Sequence, residues 1–204
     1  MKAKKKRRHA SENLRVGRKG GRFFISALIL FSSIYAKGKD HIPDGARMGN
    51  HFSWAEHNKL SWNDFKGPPD TASDESAAAT CCSIGLHVTN DTSGHPDIIV
   101  SNKFYVNGSW VKEDARIGSV LTHEQGHFDL CELYTRKLRL LVGRINVNSP
   151  NLKDELMKTY AVLNDEYETR QQAYEQETIH GTNIAEQGRW QEMIFAELAT
   201  LNNA

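Results

Sequence analysis

The sequence predicts an α+β domain, because two strand-like segments precede three long helical patterns. The strand candidates are residues 80–89 and 98–106, with turn-forming residues between them. The helical patterns cover residues 113–145, 150–180 and 183–201, where apolar side chains recur at spacings of three and four. Strands followed by helices are typical of folds in which helices pack on one side of an antiparallel sheet. We therefore expect a small N-terminal sheet packed on the first long helix, with the remaining helices C-terminal to it.

The segment before the strands is rich in aromatic residues and ends in a loop. Trp54, Trp62 and Phe65 precede Gly67-Pro68-Pro69-Asp70, whose composition indicates a turn. Isolated tryptophans usually pack against a core. We therefore expect these side chains to pack in the domain core rather than to contact a substrate.

Helix boundaries can be predicted from capping residues. The first pattern, residues 113–145, contains no proline. For the second helix, Ser149 is a suitable N-cap and Pro150 fits the first helical position. An apolar stripe then continues as far as Tyr174, which predicts antiparallel packing on the first helix. Asn183 is a suitable N-cap for the last helix.

The N-terminal region has the composition of an export signal. Residues 2–22 contain ten Lys or Arg and one acidic residue, and an apolar stretch follows at 23–34 with the small residue Ala36 after it. The predicted organisation is a signal peptide at 1–36, a linker at 37–50 and a domain at 51–204. The protein is then secreted or periplasmic, or is anchored in a membrane by residues 23–36 if the signal is not cleaved.

Removal of the basic region leaves an acidic chain. Residues 37–204 contain 16 basic and 24 acidic groups, which gives a net charge of −8. A domain of this charge is not expected to present a basic face. We therefore expect that it does not bind nucleic acid.

The first long helix contains His123-Glu124-x-x-His127. Two imidazoles four residues apart lie about 40° apart on one helix face, so that both can reach one small cation. The same face carries apolar side chains, and burial of these polar groups is costly unless a partner such as a metal compensates it. We therefore predict that His123 and His127 are Zn²⁺ ligands and that Glu124 is the general base for a zinc-activated water.

A third protein ligand is expected, since catalytic zinc usually has three and keeps one position open. Cys131 lies on the same face, but residues 123 and 131 are ~12 Å apart along the helix axis. This distance is too great for both side chains to bind one ion. His180, near the end of the second helical pattern, is the favoured third ligand, with Glu177 as the alternative. Further expectations concern Tyr174, which could stabilise an oxyanion or simply pack in the core.

These motifs together resemble an uncharacterised family of secreted bacterial proteins regarded as zinc-dependent peptidases. The resemblance extends from Trp54 to Leu198 and includes the segments 60–67, 109–111, 123–136 and 177–181. It implies a zincin-like peptidase fold with His123, His127 and Glu124 in their usual roles. No Gly and third His follow His127 at the spacing of the long metzincin signature. The third ligand is thus expected from a later helix.

The function expected from the sequence is an exported zinc-dependent peptidase with a peptide or protein substrate. Two alternatives remain: a zinc hydrolase that acts on a cell-wall amide or ester, and an exported zinc-binding protein without catalysis. The three cysteines add one open question. Cys81 and Cys82 are adjacent in a strand and point to opposite faces, so one of them can face Cys131. A disulfide there and three free thiols are both compatible with the sequence.

Overall fold

The structure is a computed structural model, and it describes residues 25–27, 31–32, 49–70 and 76–201. Its secondary structure is mixed, which confirms the predicted α+β class. Residues 37–48 of the predicted linker and most of the predicted signal peptide lie outside the described residues. Among the residues described, no helix combines the length and the apolar character needed to span a lipid bilayer.

A long antiparallel hairpin forms the centre of the main sheet. Strand β5 (Cys81–Asn90) pairs with β6 (Pro96–Tyr105), with Cys82 opposite Phe104 and Asn90 opposite Pro96. Two short strands, β1 (Ile25–Ala27) and β2 (Phe31–Ser32), pair antiparallel with β5, and β3 (His51–Phe52) pairs with β6. The hairpin matches the two strands predicted from the sequence. β1 and β2 fall within the apolar segment that we interpret as a signal.

A second, two-stranded sheet lies beside the first long helix. It consists of β4 (Ala78–Ala79) and β7 (Trp110–Val111), which are antiparallel. Directly after β4, the Thr80 hydroxyl donates a hydrogen bond of 3.2 Å to the backbone carbonyl of Glu124. This sheet is therefore fixed to the segment that carries the His-Glu-x-x-His motif.

Three helices follow the sheets: α1 (Gly118–Val142), α2 (Leu152–Thr178) and α3 (Ile184–Thr200). α1 contacts β5 and β6 on one side and α2 and α3 on the other. A helix packed on both sides must bury residues around most of its circumference, and α1 does so from His123 to Leu138. The motif on α1 is accordingly at the centre of the domain.

The helix boundaries differ in detail from the predicted ones. α1 begins five residues later than expected, because Glu113–Ala115 form a separate 3₁₀ turn. α2 begins at Leu152 rather than at Pro150, so Asn151 and not Ser149 occupies the N-cap position. The Ser149 hydroxyl donates to the Glu155 carboxylate at 2.7 Å and accepts from the backbone N–H of Asn151 at 3.2 Å. The predicted cap of α3 is present, because the Asn183 side chain accepts a hydrogen bond from the backbone N–H of Glu186.

Aromatic rings join the sheet to α1. Phe104 of β6 is fully buried and stacks on Phe52, with 5.0 Å between ring centroids. Phe128 of α1 packs edge-on against Phe104 at 5.3 Å, and Phe65 does the same from the segment before the sheets. Edge-to-face and offset contacts at this spacing are favourable for aromatic pairs.

The three cysteines are free thiols in this structure, and all three are buried. The thiol of Cys82 contacts the backbone carbonyl of His127 on α1 at 3.9 Å and the hydroxyl of Tyr167 at 3.4 Å. Cys82 is thus the strand cysteine that faces the helix, while burial raises the pKa of Cys81 to about 12.

Candidate metal centre

Three side chains meet where α1 and α2 pack together. The Nε2 atoms of His123 and His127 lie 3.1 Å apart, and Oε2 of Glu175 lies 2.8 Å from the first and 3.1 Å from the second. Both histidines are 4% exposed. These three atoms form a group that could hold a metal ion, and it is the only such group of His, Cys, Asp and Glu side chains in the described part of the chain.

A glutamine of α3 determines which ring nitrogen of His123 carries the proton. Oε1 of Gln187 lies 3.1 Å from Nδ1 of His123, while Nε2 of Gln187 donates to the Tyr174 hydroxyl at 2.7 Å. That hydroxyl donates in turn to the backbone carbonyl of His123 at 2.9 Å, so it must accept from the glutamine amide. The amide orientation follows, and Nδ1 of His123 carries the proton that is donated to Gln187.

A second glutamine does the same for His127. Nε2 of Gln171 donates to the backbone carbonyl of His127 at 3.1 Å and to the Tyr167 hydroxyl at 2.8 Å. Because a carbonyl accepts only, the other end of the amide is the oxygen, which lies 2.6 Å from Nδ1 of His127. Nδ1 of His127 is therefore protonated as well.

In the neutral histidines both Nε2 atoms therefore carry lone pairs, and these face each other and a carboxylate oxygen. Three acceptors at such short distances repel one another unless a cation or a proton lies between them. The pKa values of His127 and Glu175 are shifted in the directions expected from a proton shared within this group. Burial lowers the pKa of His127, but the hydrogen bond and charge of Glu175, aided by Glu124, raise it overall to about 9. Burial raises the pKa of Glu175, but the two imidazoles hold it well below its usual range.

Glu124 lies between the two histidines in sequence and is also buried. It is 4% exposed, and its Oε2 is one of two buried side-chain polar atoms that have no hydrogen-bond partner among the described residues. It precedes His127 by three residues on the same buried face of α1, so the carboxylate lies near the three-atom group. A buried carboxylate with a free acceptor is costly in a purely structural role and is useful to a proton acceptor.

Tyr174 has a structural role in this centre. Its ring stacks on His123 with 4.8 Å between centroids and meets His127 edge-on at 4.9 Å. It is fully buried, and its hydroxyl is engaged with His123 and Gln187. Of the two roles considered from the sequence, packing in the core therefore matches its position.

Gly126, inside the motif, makes room for Tyr174. A Cβ atom at this position would lie 2.2 Å from the Tyr174 hydroxyl oxygen and 2.6 Å from its Cζ. Both distances are far below van der Waals contact, and a fully buried tyrosine has no space into which to move. The close approach of α1 and α2 at the candidate centre thus depends on a glycine in the motif.

We predict that Gly126→Ala destabilises the protein by about 1–3 kcal/mol or more, as is typical of overpacked cores. Gly188→Ala on α3 is the matched control, because a Cβ there meets no atom within 4 Å. In that helix interior, alanine should stabilise by roughly 0.5–1 kcal/mol. Urea denaturation monitored by circular dichroism measures both variants. Equal stability of the two variants would contradict the packing argument.

His180 and Glu177 do not enter the three-atom group. α2 ends at Thr178, so His180 lies beyond the helix, half-exposed, with its Nδ1 2.6 Å from Oε1 of Glu175. The Glu177 carboxylate accepts from Arg189 at 2.6 Å and from Trp190 at 2.8 Å, on the far side of the corner between α2 and α3. The structure thus differs from the ligand expectation: Glu175, one turn inside the helix, is the residue placed beside the two imidazoles.

Other residues of the motif attach the aromatic segment to α1. Asp129 accepts hydrogen bonds of 2.8 Å from the Trp54 indole and from Gln125. Gln125 also accepts from the backbone N–H of Leu60 and donates to the carbonyl of Asn58. Trp54 therefore packs within the domain, as expected from the sequence. Gln125 and Asp129, the polar residues beside the two histidines on α1, hold the aromatic segment against this helix.

The sequence interpretation missed Glu175, Gln171 and Gln187. One signal was available: Gln171 interrupts the apolar stripe of α2 between Tyr167 and Tyr174 and is 8% exposed. A polar residue in such a stripe needs a buried partner, and Glu175 lies one helical turn further along the same face. Gln187 gives no comparable signal, since its partner depends on how α3 packs along α1.

Comparison with known proteins finds one similarity, which covers the region of the candidate centre. Residues 102–181 match the model of a family described as a bacterial protein of unknown function (DUF922). The matched region includes α1, α2 and all three residues of the candidate centre. No curated protein and no solved structure matches the chain.

Proposed function

We propose that this protein is an exported, zincin-like peptidase that binds zinc through His123, His127 and Glu175. The observation that carries the proposal is the convergence of three acceptor atoms in a buried position at which both histidines present Nε2 lone pairs. Two imidazoles and one carboxylate are an established ligand set for catalytic zinc, and they leave a fourth position open.

The chemistry of the donors favours a transition metal over calcium or magnesium. Imidazole nitrogen suits zinc, copper, iron and nickel, whereas calcium and magnesium prefer an all-oxygen environment. Gln171 and Gln187 hold the rings in the tautomer needed for coordination, which is the usual arrangement around metal-binding histidines. Two histidines and one glutamate form the ligand set of known zinc-dependent peptidases.

Each residue of the centre then has a defined role. A zinc ion held by His123, His127 and Glu175 would supply Lewis acidity and lower the pKa of a water molecule. Glu124 is the proton acceptor, since its buried carboxylate has an oxygen without a partner. Tyr174 fixes the ring of His123 by stacking, and Glu175 supplies a negative ligand while remaining 22% exposed.

The exposed side of the centre is where a substrate would approach. Both histidines are buried, whereas the side chains of Glu175 and His180 are 22% and 50% exposed. An open side and a free general base are needed for hydrolysis and have no purpose in a closed structural zinc site. This combination favours a hydrolase over a non-catalytic zinc-binding protein.

The test combines metal analysis with a digest of a peptide library. We expect the purified protein to bind about one zinc ion per chain, as a single three-ligand site requires. Peptide cleavage should stop when a chelator removes the zinc and return when zinc is restored. Absence of bound metal would refute the proposal. Zinc without peptide cleavage, but with release of fragments from purified cell wall, would indicate the cell-wall amide or ester hydrolase instead.

A further inference from the structure

The turn between α2 and α3 has an unusual backbone. Ile179, His180 and Gly181 have φ angles of 51°, 53° and 78°, so three consecutive residues are left-handed. One left-handed glycine is a common way to end a helix, but a β-branched residue such as isoleucine rarely adopts this conformation. Such strain persists only where surrounding contacts impose it, and it often marks a functional position.

Contacts on both sides hold this turn in place. The backbone N–H of Asn183 donates to the carbonyl of Thr178 at 2.8 Å, and that of Thr182 donates to the carbonyl of Ile179 at 3.0 Å. Gly181 lies directly against His123, because a Cβ atom on this glycine would be 2.7 Å from Cβ of His123. The turn is therefore attached to the metal-binding helix and not only to α2.

The strained turn directs the His180 ring back toward α2. A carboxylate only accepts hydrogen bonds, so the 2.6 Å contact between Nδ1 of His180 and Oε1 of Glu175 requires a proton on Nδ1. The two oxygens of Glu175 then have separate partners: His180 binds Oε1, and the two imidazoles of α1 face Oε2. The carboxylate cannot rotate without loss of one of these contacts.

We infer that His180 is a positioning residue that holds Glu175 so that only Oε2 is directed at the metal. This inference rests on the proposed zinc site. Gln187 and Gln171 orient the two histidine ligands through their second nitrogens, and His180 orients the carboxylate ligand through its second oxygen. All three ligands are thus held by a hydrogen bond on the side away from the metal.

An ordinary surface ion pair would not account for the turn. Exposed pairs contribute little to stability, so a half-exposed histidine gives no reason to keep isoleucine and histidine in a left-handed conformation. The strain is explained if the turn must place a donor at Oε1 while Gly181 remains against His123.

Three variants separate the effect of the His180 hydrogen-bond donor from the effect of its left-handed backbone conformation. His180→Gly removes the donor and favours the left-handed conformation. His180→Asn also tolerates that conformation and carries an amide N–H near the place of Nδ1. Glu175→Ala removes the proposed ligand itself. Zinc affinity is measured with a chromogenic chelator, and the absorption spectrum of the cobalt-substituted protein reports the coordination directly.

We expect His180→Gly to bind zinc about 10–100-fold more weakly, as is typical when a partner of a metal ligand is removed. His180→Asn should restore most of the affinity and the cobalt spectrum. Unchanged affinity and spectrum in His180→Gly, or equal losses in both variants, would overturn the inference. If Glu175→Ala loses zinc while His180→Gly keeps it, only the role of His180 is refuted. If the unaltered protein binds no zinc, the proposed site itself fails.

Discussion

Glu175→Ala is expected to weaken zinc binding more than about 100-fold, because loss of a ligand exceeds the 10–100-fold cost of losing a ligand's partner. The variant leaves His123 and His127, which lie one helical turn apart and cannot enclose an ion alone. Competition with a chromogenic chelator measures the change. The fold should persist, since the Glu175 side chain contributes polar contacts and is 22% exposed rather than part of the apolar core.

Glu177→Ala provides the matched control on the same helix. Its carboxylate binds Arg189 and Trp190, so its loss should loosen the corner between α2 and α3 and leave zinc affinity within a few-fold. His180→Ala tests the ligand favoured from the sequence alone. Weaker zinc retention in His180→Ala than in Glu175→Ala would identify His180 as the ligand and contradict the proposed centre.

The sequence predicts the fold where the pattern is strong and local. Periodicity identifies α1 and α2, and turn-forming residues identify the β5–β6 hairpin, because these signals depend on neighbours within a few residues. The end of α2 is harder to predict. Residues 175–180 continue a helical pattern by composition, yet the helix ends at Thr178 because tertiary contacts impose the left-handed turn.

The same limit applies to the candidate centre. His123 and His127 are predictable because one helix determines their spacing, and so they share a face in any helical structure. Glu175 and Gln187 reach them from two other helices, so their positions depend on the packing of α2 and α3 on α1. The prediction of His180 as a ligand depends on the end of the helical pattern, whereas the structure places Glu175, five residues earlier, beside the two imidazoles.

Glu124→Gln is expected to lower peptide hydrolysis by about 10²- to 10⁴-fold, which is the usual contribution of a general base. Glutamine has nearly the same volume and cannot accept the proton. Zinc content should remain unchanged, because Glu124 is not one of the three converging atoms. Stability should be retained or increased, since the buried carboxylate oxygen without a partner is replaced by a neutral group.

The measurement pairs initial rates on a cleavable peptide with zinc analysis of the same samples. Glu192→Gln is a suitable control, because it makes the same chemical change at an exposed position on α3 and should leave both quantities as they are. Loss of activity together with loss of zinc would mean that Glu124 supports the metal rather than the reaction. Full activity in Glu124→Gln would assign the proton transfer to another group. Only the combination of retained zinc and lost turnover would identify Glu124 as the base, because it separates binding of the metal by the proposed ligands His123, His127 and Glu175 from the proposed proton transfer.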